Sequence, residues 1–239
     1  MSDLWNPWHG CHKISAGCLN CYVYRIDAHI GKNPAIVTKS KSFNAPLKRD
    51  RRGNFRMSSG EIYTCFSSDF LVEEADPWRA DAWRIMKMRD TQNFIFITKR
   101  IHRLRECLPS DWGGGYPNVC IGCTMENQQM ADYRLPIFLS LPIAQRFIVC
   151  EPLLSDIDFR GRLNPQAIGE VVVGGESGPN ARPCDFDWVK SIRRQCLESK
   201  VNFHFKQTGA NFKKDGRTYK IPRHIQAAQA RKSDMDLRF

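Results

Sequence analysis

Short apolar segments that alternate with helix-like segments limit the folds open to this chain more than any other feature. Strands are predicted at residues 62–66, 93–97, 118–122, 145–150, 170–174 and 201–205, and helices at residues 77–89, 101–108, 127–141 and 187–199. Strands that alternate with helices indicate parallel βαβ units, and short continuous apolar runs indicate strands buried on both faces. The pattern predicts an α/β fold built on a parallel sheet, and it leaves open whether a further strand lies near Trp5.

Polar or small residues follow nearly every predicted strand. They occupy positions 67–69, 98–100, 124–126, 151, 174–177 and 206–208. Ligands of parallel α/β folds bind at the carboxyl ends of the strands. We therefore expect one shared pocket to be lined by Asp69, Lys99, Glu151, Glu176 and Lys206. The alternative is that these positions are polar only because loops begin there.

Three cysteines, Cys11, Cys18 and Cys21, lie together in a polar, glycine-containing segment near the N-terminus. Three thiolates from one short loop can bind three irons of a [4Fe–4S] cluster and leave the fourth iron open for a cofactor or substrate. The main alternative is a structural zinc site, which needs four ligands. His12 is an awkward fourth ligand because it adjoins Cys11, so the spacing favours the cluster. Three unrelated buried cysteines would fit such a polar loop poorly.

The other cysteines lie in less polar surroundings. The N-terminus shows no signal-peptide pattern, and no stretch approaches the roughly 20 apolar residues of a membrane span, so we expect a cytoplasmic protein with reduced thiols. Strand-like apolar runs contain Cys65, Cys120, Cys123 and Cys150, and helix-like segments contain Cys107 and Cys196. The simplest interpretation of each is a small buried hydrophobic residue.

The chain is strongly basic, with a formal net charge of +11 and a pI near 9.3. Such a balance favours a polyanionic partner, most often nucleic acid, although an unspecialised basic surface is the alternative. The positive charge is concentrated in residues 39–56, which predict an exposed loop, and in residues 213–238, which predict a weakly structured end.

Several motifs resemble a known family. They are WNPWHGC and GCLNCY around the cysteine loop, SSDF at 67–70, FITKR at 96–100, CEPLL at 150–154, VVGGESGPNARP at 172–183 and FKQTG at 205–209. In this order they resemble the phage Gp37/Gp68-type proteins, the DUF5131 family, which is grouped with the radical S-adenosylmethionine enzymes and is distantly similar to spore photoproduct lyase. The resemblance implies a partial (β/α)6-type parallel barrel over residues 1–210, with the N-terminal cysteine loop at its open top, followed by a basic C-terminal tail over residues 211–239.

The resemblance also implies the cofactors and the roles of the site residues. The cofactors are a [4Fe–4S] cluster on Cys11, Cys18 and Cys21 and S-adenosylmethionine, from which an electron from a donor protein would generate a 5′-deoxyadenosyl radical. The candidate cofactor-binding residues are Tyr22, Ser67, Ser68, Asp69, Gly174, Gly175, Glu176 and Lys206. The candidate catalytic residues are Cys65, Cys150, Lys99 and Glu151.

Two features depart from the usual radical-enzyme loop. The first gap between cysteines is six residues rather than three, and Asn20 stands where an aromatic residue often precedes the third cysteine. Tyr22 or Tyr24 would then contact the adenine. The substrate expected is a nucleic acid or a nucleotide, and the alternative is a protein or peptide. The alternative function is a zinc-stabilised nucleic-acid-binding module without catalysis, which the basic charge and the aromatic residues near the cysteines would also suit.

Overall fold

The computed structural model describes residues 2–239. In chain order, the strands are β1 (Asp3–Trp5), β2 (Trp8–His9), β3 (Thr38–Lys39), β4 (Glu61–Thr64), β5 (Asn93–Thr98), β6 (Val119–Thr124), β7 (Gln145–Cys150), β8 (Glu170–Gly174), β9 (Cys184–Asp185), β10 (Asn202–Gln207), β11 (Asn211–Lys214) and β12 (Arg217–Lys220). The α-helices are α1 (Tyr22–His29), α2 (Asp76–Met88), α3 (Leu104–Cys107), α4 (Gln128–Ser140), α5 (Phe186–Ser199) and α6 (Gln226–Lys232).

Seven strands form one sheet in the order β1-β4-β5-β6-β7-β8-β10. The pairs β1–β4, β4–β5, β7–β8 and β8–β10 are parallel. This confirms the coarser prediction of an α/β chain with a partial parallel barrel. Six regular βα units are not confirmed, because residues 151–169 between β7 and β8 contain neither a helix nor a strand.

The chain divides into two compact units. The first comprises Met1–Lys13, Val23–Gly122 and Ser140–Gln145, and the second comprises Ile14–Tyr22, Cys123–Leu139 and Arg146–Phe239. Cys11 belongs to the first unit, and Cys18 and Cys21 belong to the second. That residues 1–210 form a single barrel domain stays a prediction.

Aromatic side chains form the centre of the first unit. Phe70 stacks on Phe96 with 4.5 Å between ring centroids, and Trp83 on α2 meets Phe70 edge-on at 4.8 Å. Trp83 also packs against Trp112 at 4.9 Å, and its indole N–H donates to the Cys107 carbonyl at 2.8 Å. These contacts hold α2 against β5 and so fix the loops that follow β4 and β5.

Specific residues begin and end helix α5 of the second unit. Asp185 precedes the helix and accepts a hydrogen bond from the Asp187 backbone N–H at 3.0 Å, which satisfies one of the unpaired donors of the first turn. Lys200 follows the helix in the left-handed region, with φ +55°. Val189, Ile192 and Cys196 are buried, as the helical period predicts.

The basic residues 213–238 are not weakly structured, so that prediction is wrong. They form the antiparallel pair β11–β12, joined through Asp215 and Gly216, and helix α6. Residues 236–239 lie along β10: Leu237 and Phe203 exchange two backbone hydrogen bonds at 2.9 and 3.1 Å, and Asp236 accepts from the Phe205 N–H. Local sequence patterns do not predict this return of the chain, because it depends on a long-range contact.

Replacing Phe96 by Ala should lower the free energy of unfolding by about 3–5 kcal/mol, because the ring is fully buried and stacked and its loss leaves a cavity. Urea unfolding followed by tryptophan fluorescence measures the change. Met88→Ala is the control, since Met88 is 62% exposed at the end of α2 and its truncation should change the free energy by no more than about 0.5 kcal/mol. Equal effects of the two substitutions would contradict the packing described above.

Candidate functional site

The segment before Cys11 is held by residues that follow β4. The Ser68 hydroxyl donates to the Gly10 carbonyl in a short hydrogen bond, and the Gly10 N–H donates to the Ser67 carbonyl at 3.2 Å. Gly10 has φ +95°, and a Cβ atom there would lie 2.4 Å from the Ile36 carbonyl oxygen. A glycine is therefore required, and it lets the chain turn tightly into Cys11.

Arg100, which follows β5, reaches Cys11 itself. Its Nη1 lies 3.4 Å from the Cys11 sulfur, and its Nη2 donates to the His12 carbonyl at 2.9 Å. The side chain is 2% exposed, so the charge acts in a poorly solvated place. A guanidinium N–H directed at a sulfur favours the thiolate form. The Tyr24 hydroxyl donates to the Cys11 carbonyl at 2.6 Å and completes this set of contacts.

Asp69 organises the ends of β4 and β5 from a buried position. Its carboxylate accepts hydrogen bonds from the Thr98 hydroxyl at 2.7 Å and from the backbone N–H groups of Lys99 and Leu71, each at 2.9 Å. Arg100 Nη1 lies 3.5 Å from the same carboxylate. These partners occupy Asp69, and its carboxylate forms an ion pair with the same Arg100 nitrogen that reaches the Cys11 sulfur.

In the second unit, Glu126 after β6 holds the turn that carries Cys18. Its Oε1 accepts the Gly17 N–H at 3.0 Å, and its Oε2 pairs with Arg134 Nη1 at 2.7 Å. The side chains of Glu126 and Arg134 are 0% and 2% exposed. Arg134 was not among the predicted site residues, although the helical spacing of 131, 134, 135 and 138 on α4 places it on the buried face.

Glu176 after β8 holds the other end of the same turn. Its carboxylate accepts from Asn20 Nδ2 at 3.0 Å and from the Arg182 backbone N–H, Nε and Nη2 at 2.8, 2.9 and 2.6 Å. Burial alone would raise the pKa of Glu176, but the hydrogen bonds from Arg182 and Asn20 outweigh it and lower the pKa below its ordinary value. A ligand ammonium group would have to displace one of these four donors.

Glu151 after β7 is bonded differently. Its Oε2 pairs with Lys206 Nζ at 2.7 Å and its Oε1 accepts from Gln207 Nε2 at 2.6 Å. A Cβ atom on Gly174 would lie 2.9 Å from the Glu151 carboxylate, and one on Gly175 would lie 2.2 Å from the Thr208 carbonyl oxygen. The two glycines thus allow neighbouring strand ends to approach each other, a reason that the sequence alone did not suggest.

The two candidate hydrogen donors, Cys65 and Cys150, are both buried. Burial raises the pKa of each thiol well above its ordinary value, and nearby acidic groups raise it further. Both therefore keep their S–H hydrogen at neutral pH. Cys65 follows β4 directly and adopts φ +64°, the left-handed region that a non-glycine residue occupies at a cost.

The predicted site residues thus fall into two groups, one in each unit. In the first unit, Cys11, Ser67, Ser68, Asp69 and the backbone of Lys99 belong to one hydrogen-bonded set. In the second unit, Glu176 reaches the Cys18–Cys21 turn through Asn20, while Glu151 and Lys206 form a separate pair with Gly174 beside it. The Tyr22 side chain is 45% exposed at the start of α1. The single pocket lined by all five polar strand-end residues stays a prediction.

Cys11, Cys18 and Cys21 are partly exposed thiols that form no disulfide. Within residues 2–239, no group of three or more His, Cys, Asp or Glu side chains is gathered closely enough to hold a metal ion.

None of the helices in the same residues combines the length and apolar character that a bilayer span requires.

A protein-family model matches residues 1–236, which is nearly the whole chain; its description is "Protein of unknown function (DUF5131)". No curated protein and no solved structure matches the chain.

Replacing Glu176 by Gln should lower the free energy of unfolding by about 1–3 kcal/mol at pH 7, because hydrogen bonds to a charged group are lost or weakened. The pKa of Glu176 is lower in the folded chain than in the unfolded one, so its contribution is fully present above the ordinary value of 4.5 and disappears as the pH falls through the folded value. Denaturant unfolding between pH 3 and 7 should therefore show wild type and variant converging at low pH.

Glu198→Gln is the matched control, because it makes the same chemical change at an exposed position of α5. A difference between Glu176→Gln and wild type that stays constant across this pH range would show that the carboxylate charge does not stabilise the fold.

Proposed function

The chain belongs to the DUF5131 family of proteins of unknown function, whose model spans residues 1–236, and we propose that it is a radical S-adenosylmethionine-type enzyme with a [4Fe–4S] cluster on Cys11, Cys18 and Cys21. One observation carries the proposal. Side chains at the carboxyl ends of β4, β5, β6 and β8 bind the two parts of the cysteine loop, which is the end where parallel α/β folds hold their ligands.

The donor set suits an iron–sulfur cluster. Three thiolates can ligate three irons and leave the fourth open, and Arg100 supplies an N–H and a positive charge to the Cys11 sulfur. The Nε of Arg100 is buried and makes no hydrogen bond within residues 2–239, and it lies 3.5 Å from Glu73 Oε2.

The bound cluster and S-adenosylmethionine would together supply radical chemistry, and this chain would bind and orient the reactants. Glu151 and Lys206 present a carboxylate and an ammonium group, which match the amino and carboxylate groups of a methionyl moiety. Lys206 is 50% exposed, so a ligand can reach it. The exposed Tyr22 ring offers a stacking surface for adenine, and Cys65 or Cys150 retains the S–H bond that a hydrogen donor needs.

A nucleic acid or nucleotide substrate is supported by charge. The exposed strand β12 carries Arg217 and Lys220 with Tyr219 between them, a pattern that suits phosphates and a stacked base. Residues 48–56 add further exposed cations. Phosphate contacts would provide affinity, and selection of the reacting group would be made elsewhere.

Anaerobic purification tests the cluster. The protein should be brown and contain about four irons per chain, and Cys11→Ala, Cys18→Ala or Cys21→Ala should each abolish iron binding in a colorimetric iron assay. Cys107→Ala and Cys196→Ala are the controls; both thiols are buried in helices, and iron content should not change.

Colourless protein with one zinc per chain would overturn the enzyme proposal and favour the zinc-stabilised nucleic-acid-binding module. Iron binding that survives loss of any one of the three loop cysteines would overturn the ligand assignment.

Binding to single-stranded DNA and RNA should weaken steeply with salt, because phosphate contacts release counterions. Replacing Arg217 and Lys220 together by Gln should weaken binding and reduce the slope of log affinity against log salt by roughly 1.4, about 0.7 per lost contact on a single strand. Fluorescence anisotropy across a salt series measures both. The control is Arg84→Gln with Arg105→Gln, which removes the same charge outside the basic segments. No binding at low salt would contradict the nucleic-acid proposal while leaving the cluster proposal intact.

A further inference from the structure

We propose that Asn20 and Glu126 are positioning residues that anchor the Cys18–Cys21 turn at two points before any metal binds; this deepens the proposed function and rests on it for the identity of the metal. Cys18 lies between the two anchored residues, Gly17 and Asn20, and Cys21 follows the second directly. Each anchor ends on a carboxylate of the second unit that follows a strand of the sheet, Glu126 after β6 and Glu176 after β8.

The first anchor is buried and rigid. The Gly17 N–H donates to Glu126 Oε1 at 3.0 Å, and the opposite oxygen of Glu126 pairs with the buried Arg134. Arg134 also donates to the Thr124 carbonyl at 2.8 Å, and the Glu126 carbonyl accepts from the Leu154 N–H at 2.8 Å. Charge-assisted hydrogen bonds in so poorly solvated a place are strong and hold their geometry. A Cβ atom on Gly17 would meet the Glu126 carboxylate at 3.0 Å, so the residue must be small.

The second anchor explains why Asn20 stands where an aromatic residue is often found. Its side-chain nitrogen donates to Glu176 Oε2 at 3.0 Å and to the Asn180 carbonyl at 2.8 Å, so one amide group bridges two parts of the chain after β8. Arg182 holds the same carboxylate by three donors. An aromatic side chain at position 20 could make neither hydrogen bond.

Between the anchors the backbone forms one compact turn. The Cys18 N–H donates to the Ser15 carbonyl at 2.9 Å, the Leu19 N–H to the Ala16 carbonyl at 3.2 Å and the Cys21 N–H to the Cys18 carbonyl at 3.3 Å. With both ends fixed, the two thiols are held at the spacing of this turn. The Cys18 and Cys21 side chains are therefore already ordered in the folded protein. Metal binding does not have to order them, and this raises the affinity for the metal.

Asn20→Ala tests the anchor without requiring enzyme activity. In the metal-free protein, amide hydrogen exchange of residues 14–22 should become about 3- to 10-fold faster, the factor that corresponds to the net contribution of one typical hydrogen bond, while exchange elsewhere stays unchanged. The affinity for Co²⁺, followed by its thiolate absorption, should fall by a similar factor. Asn20→Asp should weaken both at least as much, because it places a second carboxylate against Glu176.

Asn164→Ala is the matched control, the same truncation at an exposed loop position of the second unit. If Asn20→Ala leaves both exchange and Co²⁺ affinity unchanged, or speeds exchange without weakening Co²⁺ binding, Asn20 is not a positioning residue. If the wild type takes up no iron yet both effects of Asn20→Ala appear, the anchor stands and the radical-enzyme proposal falls. If the wild type binds iron, and Asn20→Ala matches it in hydrogen exchange and in Co²⁺ affinity, the radical-enzyme proposal stands and the anchor falls.

Discussion

Hydrogen bonds from strand-end side chains to the cysteine loop are the interaction on which the candidate site depends. In the first unit, Ser68 and Arg100 bind the chain on either side of Cys11. In the second, Glu126 and Glu176 bind the turn that contains Cys18. Apart from the compact turn at Cys18, the loop has little regular structure, and the side chains at the ends of the strands hold it in place. A substitution that shifts those strand ends would therefore also move the cysteines, even when the substituted residue lies in the core.

The carboxylates of the second unit show how the site balances charge. Glu126, Glu176 and Glu151 each have a cation of their own, and the exposed fraction of that cation rises from 2% for Arg134 through 28% for Arg182 to 50% for Lys206. The two least exposed pairs hold the cysteine turn, and the most exposed pair does not contact it. The two more buried pairs, Glu126–Arg134 and Glu176–Arg182, thus have a structural role. The most exposed pair, Glu151–Lys206, is the one best placed to exchange partners with a ligand.

Most of the regular structure could be predicted from the sequence, because it follows from local periodicity. The predicted strand at 145–150 matches Gln145–Cys150, and the helix predicted at 187–199 differs by one residue from Phe186–Ser199. Side-chain partners could not be predicted, since they depend on which distant residues meet. Asp69 and Glu176, for example, accept hydrogen bonds from distant groups of the chain itself, while their role toward a cofactor stays a prediction. The close approach of the Thr208 carbonyl to Gly175 is another such long-range contact.

The segment that lies along β10 has a consequence for how copies of this protein behave toward one another. β10 is the outermost strand at one end of the seven-stranded sheet, and such a strand offers unpaired N–H and C=O groups to any other extended chain. Residues 236–239 take up part of that hydrogen-bonding capacity, through Leu237 on Phe203 and Asp236 on Phe205. Loss of this short segment by proteolysis, or its displacement by a fused tag, would uncover a template for edge-to-edge association. Residues 236–239 contribute little to the core, but they therefore help to keep copies of the protein from associating through β10.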